Sequence, residues 1–225
     1  MPIQSNHEIA TELLSSGTAA LALGKLPVEV QDSAADYAAA VQDMLKIGAD
    51  VAAEHAKLDA QRDLLPGSGY NRLSGQLRQE ANTRTREADK RATDALNAVQ
   101  DHLVSAASPK VNPAREQLDR QEALLSIGSA DGDKLVGRMT QLAAYGTPDV
   151  AAIFTDSTFG TSLLAARGVQ DPAGEIQKIK RAVAERGVGG TEQAQLASAA
   201  LRSMGTFAGA RVAAEMHASQ SAGGR

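Results

Sequence analysis

The segment SAADYAAAVQDMLKIGADVAAEHAKLDAQRDLL, residues 33–65, sets Tyr37, Val41, Met44, Gly48, Val51, His55, Leu58, Arg62 and Leu65 at alternating spacings of four and three. This is a heptad seam, apolar at most positions and sustained over about four heptads. A helix this long with a single apolar stripe must lay that stripe against another helix. Ser33 suits the N-cap, and PGSG at 66–69 stops the helix and turns the chain. From about Tyr70 to Ala107 the pattern is helical again, with Leu73, Leu77, Ala81, Arg84, Ala88, Ala92, Ala95, Val99 and Leu103 in one row. Its 4-4-3 spacing is an eleven-residue repeat, which predicts a nearly straight course. Two such helices joined by a four-residue turn form an antiparallel hairpin. Each arm spans roughly 50 Å at 1.5 Å per residue, so part of the hairpin is expected to project from the body.

What fills the seam matters as much as its period. About one residue in five is Ala, aromatics are only 3%, and there is no Trp. Ala favours helix but buries little area, which predicts a thin core and modest stability for the lone subunit. The thinnest part is RQEANTRTREADKR, residues 78–91, helical in pattern with two Ala as its only apolar contacts. Glu80 with Arg84, Glu87 with Arg91 and Glu87 with Lys90 stand at intra-helical pairing distances, each worth about 0.2–0.5 kcal/mol. Three readings stay open: a solvated arm, an arm whose Arg84, Glu87 and Arg91 pair with other chains, and a phosphate-binding face of Arg78, Arg84, Arg86, Lys90 and Arg91. Five basic and three acidic residues there, and a net charge of −4 overall, argue against the last.

Outside the hairpin the signals are shorter. Residues 1–32 read as an extended or partly helical arm: Ser5 or Asn6 can cap a short helix, while Gly24 and Pro27 break a long one. Asn112–Pro113 opens a helix ended by Gly128. Further helices are expected near 132–145, after Thr147–Pro148, over about 159–167, from Asp171–Pro172 to Gly187, and from Thr191 to about His217. In that last one Leu196, Ala200, Met204, Phe207 and Val212 form the apolar face. SQSAGGR reads as a flexible tail. No strand alternation and no internal repeat is present. The fold class is therefore all-α: a long antiparallel hairpin over 33–107 with a bundle of shorter helices over 108–217.

Signals for chemistry are sparse. The absence of Cys excludes disulfides, thiolate metal sites and cysteine nucleophiles. His7, His55, His102 and His217 are scattered, with no second His at metal spacing, and His55 reads as a packing or register residue. GSADGD at 128–133 lacks the third acid and closing Glu of a calcium loop. RGVGGT at 186–191 lacks the Lys that follows the glycines of a phosphate loop. Ser157, in FTDSTFG, has neither the flanking glycines of a nucleophile elbow nor a base nearby in sequence. No catalytic residue, cofactor or metal is expected. Neither a signal peptide nor an 18-residue apolar span is visible, which points to a cytoplasmic or virion location and no membrane association.

The long hairpin, the Ala core, the loose arm and a composition rich in Ala, Gly, Asp and Arg resemble the small helical structural and assembly proteins of tailed bacteriophages with actinobacterial hosts. The hairpin is similar also to those of secreted actinobacterial substrates, but their Trp-x-Gly turn is missing; the turn here reads LLPGSGY. The phage resemblance implies a non-enzymatic virion or assembly component: scaffold, connector, capsid accessory or tail part. Its partners would be copies of itself or other structural proteins of the same assembly. The interaction residues expected on the seam and arm are Tyr37, Val41, Met44, Val51, His55, Leu58, Leu73, Leu77, Arg84, Glu87 and Arg91. A nucleic-acid-binding or regulatory helical protein using residues 78–91 is the alternative.

Overall fold

The computed structural model describes residues 4–21 and 23–223. Among them there is no strand, and nine α-helices carry the fold: α1 (Asn6–Ala20), α2 (Val28–Ala60), α3 (Gly67–Ala107), α4 (Glu116–Ile127), α5 (Gly132–Tyr145), α6 (Pro148–Thr155), α7 (Ser157–Ala166), α8 (Pro172–Arg186) and α9 (Glu192–Gly223). The protein is all-α, and α2 and α3 pack against each other, as the seam requires. The chain forms two compact units. One contains α1, α2, α3 to Val99 and α9 from Ser203; the other contains residues 100–202, with α4–α8.

In the first unit the hairpin has more cover than the sequence implied. The segment expected to be an extended or partly helical arm, with Ser5 or Asn6 as its cap, forms α1, closed by a reciprocal cap at Ser5. The Ser5 hydroxyl accepts from the Glu8 N–H at 3.3 Å, and the Glu8 carboxylate accepts from the Ser5 N–H at 2.8 Å. The Ser5 N–H first, and then the Ser5 hydroxyl donating to the carboxylate at 3.0 Å, hold the Glu8 carboxyl below its usual range. Ala10, Leu14 and Gly17 point inward. Gly17 permits a close crossing, because a Cβ there would stand 2.7 Å from Phe207 Cα on α9. The α2 helix begins at Val28 rather than Ser33, directly after Pro27, where a missing N–H costs nothing. Its seam, which extends back to Val30 and Ala34, is buried at Tyr37, Val41, Met44, Gly48 and Val51, and Ala40, Leu45 and Ile47 are buried beside it. One stripe needs one partner; this broad face serves several.

On α3 the inward row is Ser74, Ala81, Thr85, Ala88, Ala92, Val99, Leu103 and Ala107. Thr85, not Arg84, occupies the row, and Leu73 lies outside it, 39% exposed. The reason is steric and electrostatic together. A short side chain fits between close helices, while Arg84, one position round, reaches Asp50 of α2 at 3.6 Å. Arg91 reaches Asp43 at 2.9 Å. The two acids lie seven residues apart, as do the two arginines in the reverse direction, which fixes an antiparallel register. These cross-helix pairs stand where pairs of Arg84 and Arg91 with Glu80 and Glu87 were expected.

The α9 helix completes this unit. The Tyr37 hydroxyl donates to the Phe207 carbonyl at 2.7 Å and accepts from the Arg211 N–H at 3.2 Å. The Arg211 guanidinium pairs with Asp89 of α3 at 2.5 Å, both about 70% covered, and reaches Thr93 at 3.3 Å. Residues 218–223, expected to be a flexible tail, continue the helix with Ala218 and Ala222 buried; residues 224–225 lie outside the described residues.

The second unit has a conventional core. Ile127, Leu135, Met139, Ile153, Phe154, Leu164, Ile176, Ile179 and Val183 come together from α4 to α8. Its helices start where polar caps and prolines place them. Thr147 accepts from the Val150 N–H, Asp156 from Phe159 and Asp171 from Gly174. Thr191 likewise accepts from the Ala194 N–H at 3.1 Å. Two start without a side-chain cap: α5, after Asp131, and α4, which begins at Glu116. Asn112 instead accepts from the Ala114 N–H at 3.1 Å and folds residues 113–115 into a turn.

Candidate interaction surface

The seam residues expected to bind other chains divide into two groups. Tyr37, Val41, Met44 and Val51 are buried inside the first unit and meet their partners there. Their seam is used within the chain, which removes them from any outer surface. His55, Leu58 and Leu77 are half-buried, Leu73 and Glu87 are exposed, and Arg84 and Arg91 carry the ion pairs to α2. The sequence could not separate these groups, because the seam keeps its period while its cover ends.

That end is sharp. All ten buried positions of α2 lie between Val30 and Val51. From residue 52 to residue 80 only Ser74 is buried. Over this stretch α2 runs about 14 Å past Val51, at 1.5 Å per residue. A short 3-10 turn over Arg62–Leu64 follows, and α3 returns. The expected seam positions Arg62 and Leu65 thus lie beyond α2, in the turn. Leu64 is 83% exposed, and Leu73 joins it at the surface, so apolar groups are left uncovered at the bare end of a helix pair.

The tip is tied by polar contacts instead. The Tyr70 hydroxyl donates to Asp59 at 2.5 Å, which raises the Tyr70 hydroxyl above its usual range. Arg62 lies over the same ring, 5.4 Å from its centroid. Lys57 pairs with Glu54 at 2.7 Å, and its ammonium is raised by that bond. All of these are solvent-facing, so each holds the turn's shape more than it stabilises the fold.

The second unit contains a groove of about 990 Å³ between the end of α3, the α6–α7 junction and α8. Here the structure supplies what the sequence hid: the Lys180 ammonium donates to the Ser157 hydroxyl at 2.7 Å. Ser157 is exposed and Lys180 half-buried. The neighbouring Lys178 and Arg181 are engaged by Glu175 and Glu185. The groove is a polar surface in which Lys178 and Arg181 are paired with acids and Lys180 is hydrogen-bonded to Ser157.

Among the described residues no group of three or more His, Asp or Glu could hold a metal ion, and no helix is long and apolar enough to cross a membrane. No family model, curated protein or solved structure matches this chain.

Proposed function

We propose that the protein is a non-enzymatic structural or assembly component that acts by docking the tip of its α2–α3 hairpin, residues 52–80, onto another chain. The observation that carries this reading is the run of two helices past their cover, with Leu64 and Leu73 exposed at the end. Helices of a few turns are marginal in water, and a bare two-helix tip gains order by packing on something else. A further copy of the chain or another protein of the same assembly is the partner class. The particle of a tailed phage is the setting that the sequence resemblance implies. Analytical ultracentrifugation of the whole chain, alone and with extract of its native source, tests the reading. A complex that is lost in Leu64→Ser/Leu73→Ser supports it; a monomer that neither variant nor extract changes overturns it. Presence of the chain in purified particles tests the phage setting separately.

The alternative, nucleic-acid binding through residues 78–91, has less support. Arg84 and Arg91 already neutralise Asp50 and Asp43, leaving Arg78, Arg86 and Lys90 on an acidic chain.

A further inference from the structure

Two histidines 210 positions apart in sequence meet where α1 begins and α9 nears its end. The rings of His7 and His217 stand edge to face, centroids 5.3 Å apart at 74°. His217 lies on Gly48 of α2, where a Cβ would come within 2.6 Å of the imidazole Cδ2. The ring therefore occupies the space that a side chain at position 48 would fill. Its Nε2 is buried and has no hydrogen-bond partner. A neutral imidazole tolerates this, because one ring nitrogen needs no donor partner. A protonated one does not, because both nitrogens then carry N–H groups. Protonating His217 in place leaves a buried donor unmade, and protonating His7 as well sets two like charges about 5 Å apart.

His7 has the Glu8 carboxylate beside it, whereas among the described residues no carboxylate is paired with His217. On α1, the Glu8 carboxylate is held by Ser5, and the Asn6 amide donates to Gln220 at 2.9 Å. On α2, Lys46 and Asp50 flank Gly48 and are exposed, and Asp50 is engaged by Arg84. On α3, level with Gly48 in the antiparallel register, Thr85 is buried and Arg86 is exposed. On α9, Glu215 is exposed, and Ser221 donates to the His217 carbonyl at 3.0 Å.

We propose that His7 and His217 form a pH-sensitive latch that holds α1 against α2 and α9 while the buried His217 ring is neutral and releases it when that ring is protonated. Release would uncover Ala10, Leu14 and the close crossing of Gly17 with Phe207, giving the chain a second apolar surface. Burial, and then the charge of His7, hold the His217 imidazole below its ordinary value of 6.5. A folded value below the unfolded one means that protons bind preferentially to the released state. The latch is therefore complete above about pH 6.5 and weakens as pH falls below it. This stands apart from the tip reading, since α1 and residues 52–80 are different surfaces.

The test is hydrogen exchange of the full chain at about pH 7.5 and pH 5.0, corrected for intrinsic rates, with α5 as the internal reference. We expect protection over residues 6–20 to fall about tenfold at the lower pH while α5 is unchanged. His7→Gln, at an exposed position, should cut the acid response to about threefold. In an NMR titration the same change should move the His217 midpoint upward. Acid-insensitive α1 protection overturns the latch. So does an undiminished acid response in His7→Gln or in His7→Gln/His217→Gln.

Discussion

Stem and tip of the α2–α3 hairpin share a helix pair, a period and a register, and they differ in what lies outside them. In the stem, α1 and α9 close over the pair. Tyr37 bonds into α9, Arg211 bonds into α3, and glycines at 17 and 48 let the backbones approach. In the tip the same 3.5-residue rhythm continues through His55 and Leu58, which are only half-buried. Burial therefore depends on how many neighbours a stripe has, and periodicity reports only that it has at least one. Small inward residues are what make the crowded stem work. Ala81, Thr85, Ala88 and Ala92 give α3 little apolar area but a narrow approach.

The largest effects should come from the stem core. Met44→Ala empties a fully buried site and should cost about 2–5 kcal/mol in chemical unfolding, whereas Leu58→Ala in the tip should cost about 1 kcal/mol or less. Equal costs would mean that the tip is as well covered as the stem. Gly48→Val comes next. Its new side chain must displace the His217 ring, and we expect a loss of about 1–3 kcal/mol with disruption centred on the end of α9. A Gly48→Val protein as stable as the wild type would show that the ring can move away freely.

Ion pairs should follow the same division. Arg211→Ala removes a partly covered guanidinium that serves Asp89 and Thr93, and should cost about 1–3 kcal/mol. Arg84→Ala, on the open side of the pair and 3.6 Å from its partner, should cost less than about 1 kcal/mol. A double-mutant cycle of Arg211 with Asp89 measures the first coupling directly. The stem also has an alkaline signature. Burial pushes the Tyr37 hydroxyl up to about 12, from an ordinary 10. The folded protein thus keeps a proton that the unfolded chain releases first. Its contribution is whole below about pH 10 and declines as pH rises from there through 12. Tyr37→Phe should be less stable at neutral pH and lose less stability on going to alkaline pH. An identical pH slope in both proteins would remove Tyr37 as the source.

Much of this was legible in the sequence. The heptad from Tyr37 to Val51, the caps Thr147 and Asp171 and the helix start at Thr191 all lie where local pattern puts them, because each is decided within a few residues of itself; the turn expected at 66–69 lies instead at 61–66, and Gly67–Gly69 open α3. What was not legible is long-range. Nothing near Asn6 shows that α1 will lie on Phe207, because the apolar face with Leu14 between Ala10 and Gly17 does not say which helix it meets. Arg84 fitted the apolar row by spacing, yet the row passes through Thr85, a choice made by Asp50 across the interface. Lys180 beside Ser157, and His217 on Gly48, are likewise products of the fold.

The smallest expected effect on stability is the most informative for function. Leu64→Ser alters a side chain that is 83% exposed and should change unfolding free energy by no more than about 0.5 kcal/mol, while Leu73→Ser, at 39% exposure, should cost about 1 kcal/mol. An apolar group that a fold does not need is costly to solubility unless it is covered in use. If the tip is a docking end, the pair of substitutions will leave the helical signal of the chain in place and remove its association. If they destabilise the chain by 2 kcal/mol or more, these leucines belong to the protein's own packing, and the contrast between stem and tip loses its functional meaning. If they change neither fold nor association, the partner surface lies elsewhere, and the bare end of the hairpin is only where the cover stops.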